Sequence, residues 1–236
     1  MIGKGKSISH GVAALEYDLA KEINGQAVAT EIARHELYGC TGAEMVQEMK
    51  PYHIDFPNVK NNCLRFEVSP SIEESATFTD ADWAELGNDF MQRMGLANHQ
   101  YIIIRHSGTE SKKEQAHLHI LANRVSLSGE LYRDNWIGKK ATEAANAIAK
   151  ERNFVQSQDI GKVNKAEIKE AMDGVLKKMQ GFDFTKFKEE LGKRGFKVRE
   201  ARASTGKLNG YYVTARSGTE YKASEIGKGY TLAHIE

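Results

Sequence analysis

The stretch that most constrains the fold of this chain is residues 100–125, QYIIIRHSGTESKKEQAHLHILANRV. Residues 101–104 form a short apolar run rich in β-branched side chains, and Leu118, Ile120 and Ala122 alternate with His117, His119, Leu121 and Asn123. Both patterns predict strands. Strand side chains repeat with period two, so His117 and His119 leave the same face. A hairpin loop over residues 107–116 returns the chain and brings His106, at one strand end, near His117 at the start of the next. Three imidazoles converging with open positions suit a catalytic transition-metal site. The competing reading is three unrelated histidines in polar loop margins.

The remaining sequence sets limits on this site. With 236 residues, 40% hydrophobic and 28% charged, the chain is an ordinary globular sequence, long enough for one large domain or a domain with an appendage. No run approaches the ~18 apolar residues of a membrane span. The basic start MIGKGK is not followed by a long apolar segment, which argues against a secretory signal. Cys40 and Cys63 are the only cysteines, too few for a disulfide framework or a zinc ribbon, and the expected location is cytoplasmic.

Net charge is only +1, but it is unevenly spread. Residues 1–138 hold 13 basic and 19 acidic residues, whereas residues 139–236 hold 20 and 13. Residues 186–207 alone hold eight basic and three acidic residues. Such asymmetry gives one end a field that attracts phosphates; the alternative is a solvated helix face.

In chain order, Ser9 caps a predicted helix over residues 10–23 whose stripe of Val12, Leu15, Leu19 and Ile23 faces the core. Tyr17 lies off that stripe, where it either presents its hydroxyl to a site or packs its ring. Helices are expected over 27–38 and 42–49. Residues 64–68 read as a half-buried strand with Glu67 on its polar face. Beside the histidine strands, Glu67 would reach a metal, a water or a nucleophile's proton; otherwise it pairs with Arg65 or another surface cation. A helix over 81–94, capped by Thr79 or Asp80, precedes the central strands, and helices over 141–152 and 164–180 follow. The expected class is α+β, a sheet covered by helices. The last block reads as helix 184–193 followed by a two-stranded ribbon, 196–201 and 208–215, studded with Lys197, Arg199 and Arg202. Arg202 has the opposite strand parity, so a bend or bulge is needed for all three to face one way. A basic ribbon of this kind can enter a DNA groove. The expected division is a core at 1–160 and a basic DNA-binding module at 161–236.

The segment HSGTESKKEQAHLHILANRV resembles the three-histidine motif of the relaxase/mobilization nuclease family, the HUH-type DNA-nicking transfer proteins of plasmids and mobilizable transposons. LRFEVSPS, a helix ending RMGL and then HQYIII are similar to the stretch preceding that motif, especially in relaxases of Bacteroides-type mobile elements. ISHGVAALEY resembles the segment bearing the family's nucleophilic tyrosine, and FKEELGKRGFKVREARASTGKLNGY with YKASEIGKGYTL resembles the end of the relaxase domain.

The resemblance implies a five-stranded antiparallel sheet with helices, the HxH pair lying on a central strand. It implies a divalent ion held by His106, His117 and His119, with Mn or Mg in action and Zn, Ni or Co also suited to three imidazoles. Tyr17 would attack one phosphodiester of single-stranded origin-of-transfer DNA, giving a 5′-phosphotyrosine and a free 3′-hydroxyl. A free phenol has a pKa of ~10, so Glu67, the metal's field or a water must help it ionise. Arg124, placed near the site, would contact phosphate, and Lys197, Arg199 and Arg202 would contact groove or backbone. Implied partners are single-stranded and duplex origin DNA, relaxosome accessory proteins and a conjugative coupling protein. Alternatives are a rolling-circle replication initiator with the same chemistry, or an inactive origin DNA-binding module. One departure from the family pattern is Gly108, where many members carry an aspartate. Members usually continue past a domain of this size, so the chain is either an excised relaxase domain or a compact member.

Overall fold

In the computed structural model, which describes residues 1–108 and 115–235, the two histidine strands lie side by side within a five-stranded sheet. The elements run β1 (Ile2–Ile8), α1 (Gly11–Leu19), β2 (Glu22–Ile23), β3 (Gln26–Ala27), β4 (Ala29–His35), α2 (Gly42–Met49), β5 (Cys63–Ser69), α3 (Ile72–Ser75), α4 (Asp80–Arg93), β6 (His99–His106), β7 (His117–Ser126), α5 (Ile137–Glu151), α6 (Ser157–Leu176), α7 (Phe184–Lys193), β8 (Lys197–Arg202), β9 (Leu208–Thr214), β10 (Glu220–Lys222), α8 (Ala223–Ile226) and α9 (Leu232–Ile235). The large sheet has order β1-β5-β7-β6-β4 with every neighbouring pair antiparallel, so β7 is its central strand. The fold is α+β. Part of the predicted 107–116 loop lies outside the described residues.

Strand alternation gives this sheet two unlike faces. On one, Leu64, Phe66, Val68, Leu118, Ile120 and Ile103 pack with Trp83, Leu86 and Phe90 of α4 and Ala141, Ala145 and Ile148 of α5. On the other, Ile8, Cys63, Ile102, Ile104 and Leu121 are covered by Leu15 of α1 and Met45, Val46 and Met49 of α2. Burial pushes the Cys63 thiol up to about 12, so it behaves as a small hydrophobe. The apolar half of this second face ends where Lys4, Glu67, His117 and His119 begin.

Several sequence expectations are corrected here. Residues 2–8 form a strand where no element was expected: Gly3 and Gly5 alternate with Lys4 and Lys6, and a Cβ at Gly3 would lie 2.4 Å from the Ala141 carbonyl oxygen and 2.6 Å from the Ala145 Cβ. Glycine is what lets α5 sit directly on β1. The first helix stops at Leu19 instead of reaching Ile23, because Asn24 (φ 54°) and Gly25 (φ 73°) make the two-residue turn of a small β2–β3 hairpin. Its N-cap is His10 without a side-chain cap bond, not Ser9. Its buried stripe is Gly11, Ala14, Leu15 and Asp18, and Val12 is exposed. The expected helix over 27–38 is instead the edge strand β4; pairing with the open side of β6 outweighs the helix preference of its Ala, Glu and Arg residues.

The chain divides into two compact units, Met1–Ser157 and Gln158–Glu236. In the second, Ile168 and Met172 of α6 and Phe187 and Leu191 of α7 share a core with Phe196, Tyr211 and Val213. Its sheet has three strands, ordered β10-β9-β8, not the two expected, and the β8–β9 register shifts between Ala201 and Arg202. Among the described residues no helix is long and apolar enough to cross a membrane.

Two predictions follow from this packing. Gly3→Ala forces α5 off β1 and should destabilise by roughly 1–3 kcal/mol, the usual range for overpacking, read as a lowered Tm. His99 is 5% exposed and its Nδ1 faces the Asn123 carbonyl at 2.9 Å. Burial lowers its pKa despite that contact and nearby Glu130. The resulting stability is complete above the unfolded value of about 6.5 and is lost as pH falls below it toward the folded value. His99→Gln should therefore flatten the acid limb of a Tm–pH profile below pH 6.5; an unchanged limb would count against this assignment.

Candidate active site

The β6–β7 register pairs His106 with His117, while β5 sets Glu67 opposite His119. All three imidazoles therefore emerge from one face of the sheet, and one ring nitrogen from each lies within 4.8 Å of the others. His117 Nδ1 donates to the Gln115 carbonyl at 3.1 Å, which leaves its Nε2 lone pair free. That Nε2 is 3.1 Å from His119 Nε2. His106 Nε2 donates to the Asp18 carbonyl at 2.7 Å. His119 Nδ1 lies 3.3 Å from Arg65 Nη2 and 3.8 Å from Asp18 Oδ1. Burial lowers the His106 pKa, and burial followed by the neighbouring His106, His117, Arg65 and Lys4 charges pushes His119 down to about 2. Burial thus disfavours the charged form of both rings, and the neutral form is the one that ligates.

The donor types suit a divalent transition metal, with His117 and His119 spaced as a ligating pair and His106 within 4.8 Å of them. Metal–imidazole bonds of ~2.0–2.1 Å at tetrahedral or octahedral angles place two nitrogens about 2.9–3.4 Å apart, and the His117–His119 separation of 3.1 Å falls inside that window. Bringing His106 in through Nε2 would exchange its hydrogen bond to Asp18.

Helix α1 is fastened to this site on both sides of Tyr17. Glu16 Oε1 accepts from the Ala43 backbone N–H at 3.0 Å, at the N-terminus of α2, where a carboxylate is favoured. Asp18, 1% exposed, accepts from Arg65 Nε at 3.0 Å and Nη2 at 2.5 Å. Between them Tyr17 is 56% exposed, and its hydroxyl accepts from Lys21 Nζ at 2.7 Å, one helical turn on.

Glu67 pairs with Lys4 at 2.9 Å, and the two line a cleft of about 210 Å³ with Lys6, Arg65, Phe66 and His119. The sequence placed Arg124 near the histidines, but it lies elsewhere. It has the opposite strand parity from His119 and sits five residues along β7, a displacement of about 17 Å at the usual strand rise. Its guanidinium binds the Tyr132 and Asn61 carbonyls and Asp134. Lys197, Arg199 and Arg202 belong to the second unit, where Lys197 is exposed. Arg199 forks Glu220 and lies over the Tyr212 ring at 4.1 Å, and Arg202 binds Glu200 and the Gly206 carbonyl. Sequence reasoning missed Asp18, Arg65, Lys21 and Gln115 as parts of the site. The available signal was the spacing Gly11, Ala14/Leu15, Asp18: a carboxylate on the buried stripe of a helix requires a cationic partner.

The cluster should bind one divalent transition-metal ion per chain by calorimetric titration. His119→Ala should raise Kd by more than about 100-fold, beyond the ~10–100-fold that loss of a supporting partner costs. Affinity equal to the wild type would remove the cluster as a metal site.

A family profile described as relaxase, MobA/VirD2-like, nuclease domain matches residues 17–154, more than half of the chain. Among solved structures, the conjugative relaxase TrwC in complex with oriT DNA aligns in its metal-free form with 10% identity and a TM-score of 0.39, covering 88% of this chain and 74% of that one. Its metal-bound form aligns with 11% identity and a TM-score of 0.39 over the same shares. Its copper-bound form aligns with 13% identity and a TM-score of 0.36, covering 88% and 75%. No curated protein matches. On the strength of the profile match, the chain belongs to the relaxase family of MobA/VirD2-like nuclease domains.

Proposed function

We propose that the chain nicks one strand of origin-of-transfer DNA for conjugative mobilization by transesterification onto Tyr17. The observation that carries this reading is the residue pair Tyr17–Asp18. Asp18 receives His106 Nε2 on its carbonyl and has its carboxylate 3.8 Å from His119 Nδ1, and Tyr17 is its exposed neighbour on a helix anchored at both flanks.

His106, His117 and His119 would hold the ion, which when bound neutralises phosphate charge and orients the scissile group. The chain's own residues supply the rest. Tyr17 Oη forms a bond to phosphorus as its proton passes to solvent, and the P–O3′ bond breaks, the 3′-oxygen taking up a proton. The Lys21 ammonium, already donating to Tyr17 Oη, stabilises the oxygen as it becomes anionic. The phosphotyrosine bond conserves the phosphodiester's energy, so the reverse step rejoins the strand. Glu67 meets Lys4 in this structure, and we assign it to holding that edge of the cleft. Lys197, Arg199 and Arg202 would bind the phosphates of flanking duplex, the two arginines exchanging Glu220 and Glu200 for DNA. The partners follow from the role: origin DNA in single-stranded and duplex form, relaxosome accessory proteins and a coupling protein, all met in the cytoplasm.

Incubation with Mn²⁺ and a single-stranded origin oligonucleotide should give a denaturant-stable protein–DNA adduct, abolished by Tyr17→Phe. An adduct that survives this substitution would move the nucleophile to Tyr38 or Tyr52, and tight DNA binding with no adduct would leave an inactive DNA-binding module. Lys21→Met should slow single-turnover adduct formation ~10-fold or more with little change in oligonucleotide affinity, a loss of about 1.4 kcal/mol confined to the transition state. Lys197→Ala should lower the slope of log K against log salt for duplex binding by about 1.

A further inference from the structure

We propose that the Asp18 carboxylate sets the tautomer of His119 that makes the histidine cluster able to hold a divalent cation, with Arg65 as its competitor. This rests on the metal-assisted reading above.

His119 Nδ1 has two neighbours with opposite demands. Arg65 Nη2, at 3.3 Å, can only donate, and pairing with it requires a lone pair on Nδ1. The ring proton then sits on Nε2 and points at His117 Nε2 across 3.1 Å. In that state His119 has no lone pair to offer at the point where the cluster converges. Asp18 Oδ1, at 3.8 Å, can only accept. A sub-ångström shift brings it into hydrogen-bond range. The proton then moves to Nδ1 and the Nε2 lone pair turns toward His117, whose own Nε2 is already free because Gln115 fixes its Nδ1–H. Ligating histidines characteristically depend on such an acceptor behind the ring.

The neighbours favour Asp18 for this role. It is 1% exposed, so its charge is not there for solvation. Both carboxylates near His119 are paired, Asp18 with Arg65 and Glu67 with Lys4, but it is Asp18 whose Oδ1 lies 3.8 Å from His119 Nδ1. Asp18 also receives His106 Nε2 on its carbonyl and directly follows Tyr17, so one residue touches two of the three histidines and the segment bearing the nucleophile. Asp18 is therefore a positioning residue: it acts through His119 and touches no reacting atom.

The test uses the full chain, Mn²⁺ titration by calorimetry, and nitrogen NMR of the histidine rings, with Tm recorded for every variant. Asp18→Ala should weaken Mn²⁺ binding ~10–100-fold. Arg65→Gln breaks the same ion pair but should bind Mn²⁺ at least as tightly as the wild type and shift the His119 ring proton toward Nδ1. The double variant removes both charges, which keeps the comparison available if Asp18→Ala alone does not fold, and its affinity should lie between the two. Equal loss in both single variants would mean that the pair merely holds the fold, and no change in either would remove Asp18 from metal binding; both results overturn the proposal. Failure of wild-type chain to bind Mn²⁺ would also overturn it. Intact metal linkage without any DNA adduct would uphold it and sink the nicking reading alone, because these measurements need neither DNA nor Tyr17.

Discussion

The buried fork between Asp18 and Arg65 is the interaction on which the site depends. Helix α1 has only nine residues, and its buried apolar contribution is Gly11, Ala14 and Leu15. Such a short face fixes a helix loosely. The fork ties it to the middle of the sheet, and a buried ion pair that loses one member typically costs about 3–5 kcal/mol, a large share of the ~5–15 kcal/mol by which a domain is stable. Glu16 adds a second tie at α2, so Tyr17 stands between two anchored carboxylates while its own ring stays exposed.

The position of the site follows from how the sheet is covered. One face is apolar along its length and carries α4 and α5. The other is apolar only where α1 and α2 lie, and past that limit the same strand parity brings up Lys4, Lys6, Arg65, Glu67, His117 and His119. Burial disfavours the charged forms of His106 and His119, and the neighbouring histidines, Arg65 and Lys4 add to this at His119. Two of the cationic side chains beside the nitrogens are paired, Arg65 with Asp18 and Lys4 with Glu67, so the nitrogen cluster is flanked by ion pairs and not by bare cations. Rigid strands position the nitrogens, and the helix that carries Tyr17 is docked by charge.

Much of this was legible from local pattern. The alternation at 117–123 and the apolar run at 101–104 identified the two strands, and period two put His117 and His119 on one face. Helix α2 was readable, and α4 was readable from its apolar spacing and a cap at Thr79 or Asp80, of which the structure uses Thr79. The N-terminal strand was not, because glycines at 3 and 5 carry no hydrophobic signal; their reason lies in Ala141 and Ala145, far along the chain. Strand β4 was hidden by helix-favouring residues that only the open edge of β6 could recruit. The end of α1 is legible in Asn24-Gly25, a hairpin-turn pair that overrides the apolar spacing running on to Ile23.

By itself, the sequence determined the histidine cluster's strand parity, the α+β class and the charge asymmetry between the two ends, because these depend on residue periodicity and composition. Tertiary structure alone decided which groups surround each histidine. Arg124 is near in sequence yet is displaced by strand rise and parity, whereas Asp18 is about ninety residues away yet touches His106 and lies beside His119. Residues 100–125 could announce a three-imidazole site, but its supporting contacts form only when α1 and β5 pack against β6 and β7. Such contacts depend on distances through space, which no spacing along the chain encodes.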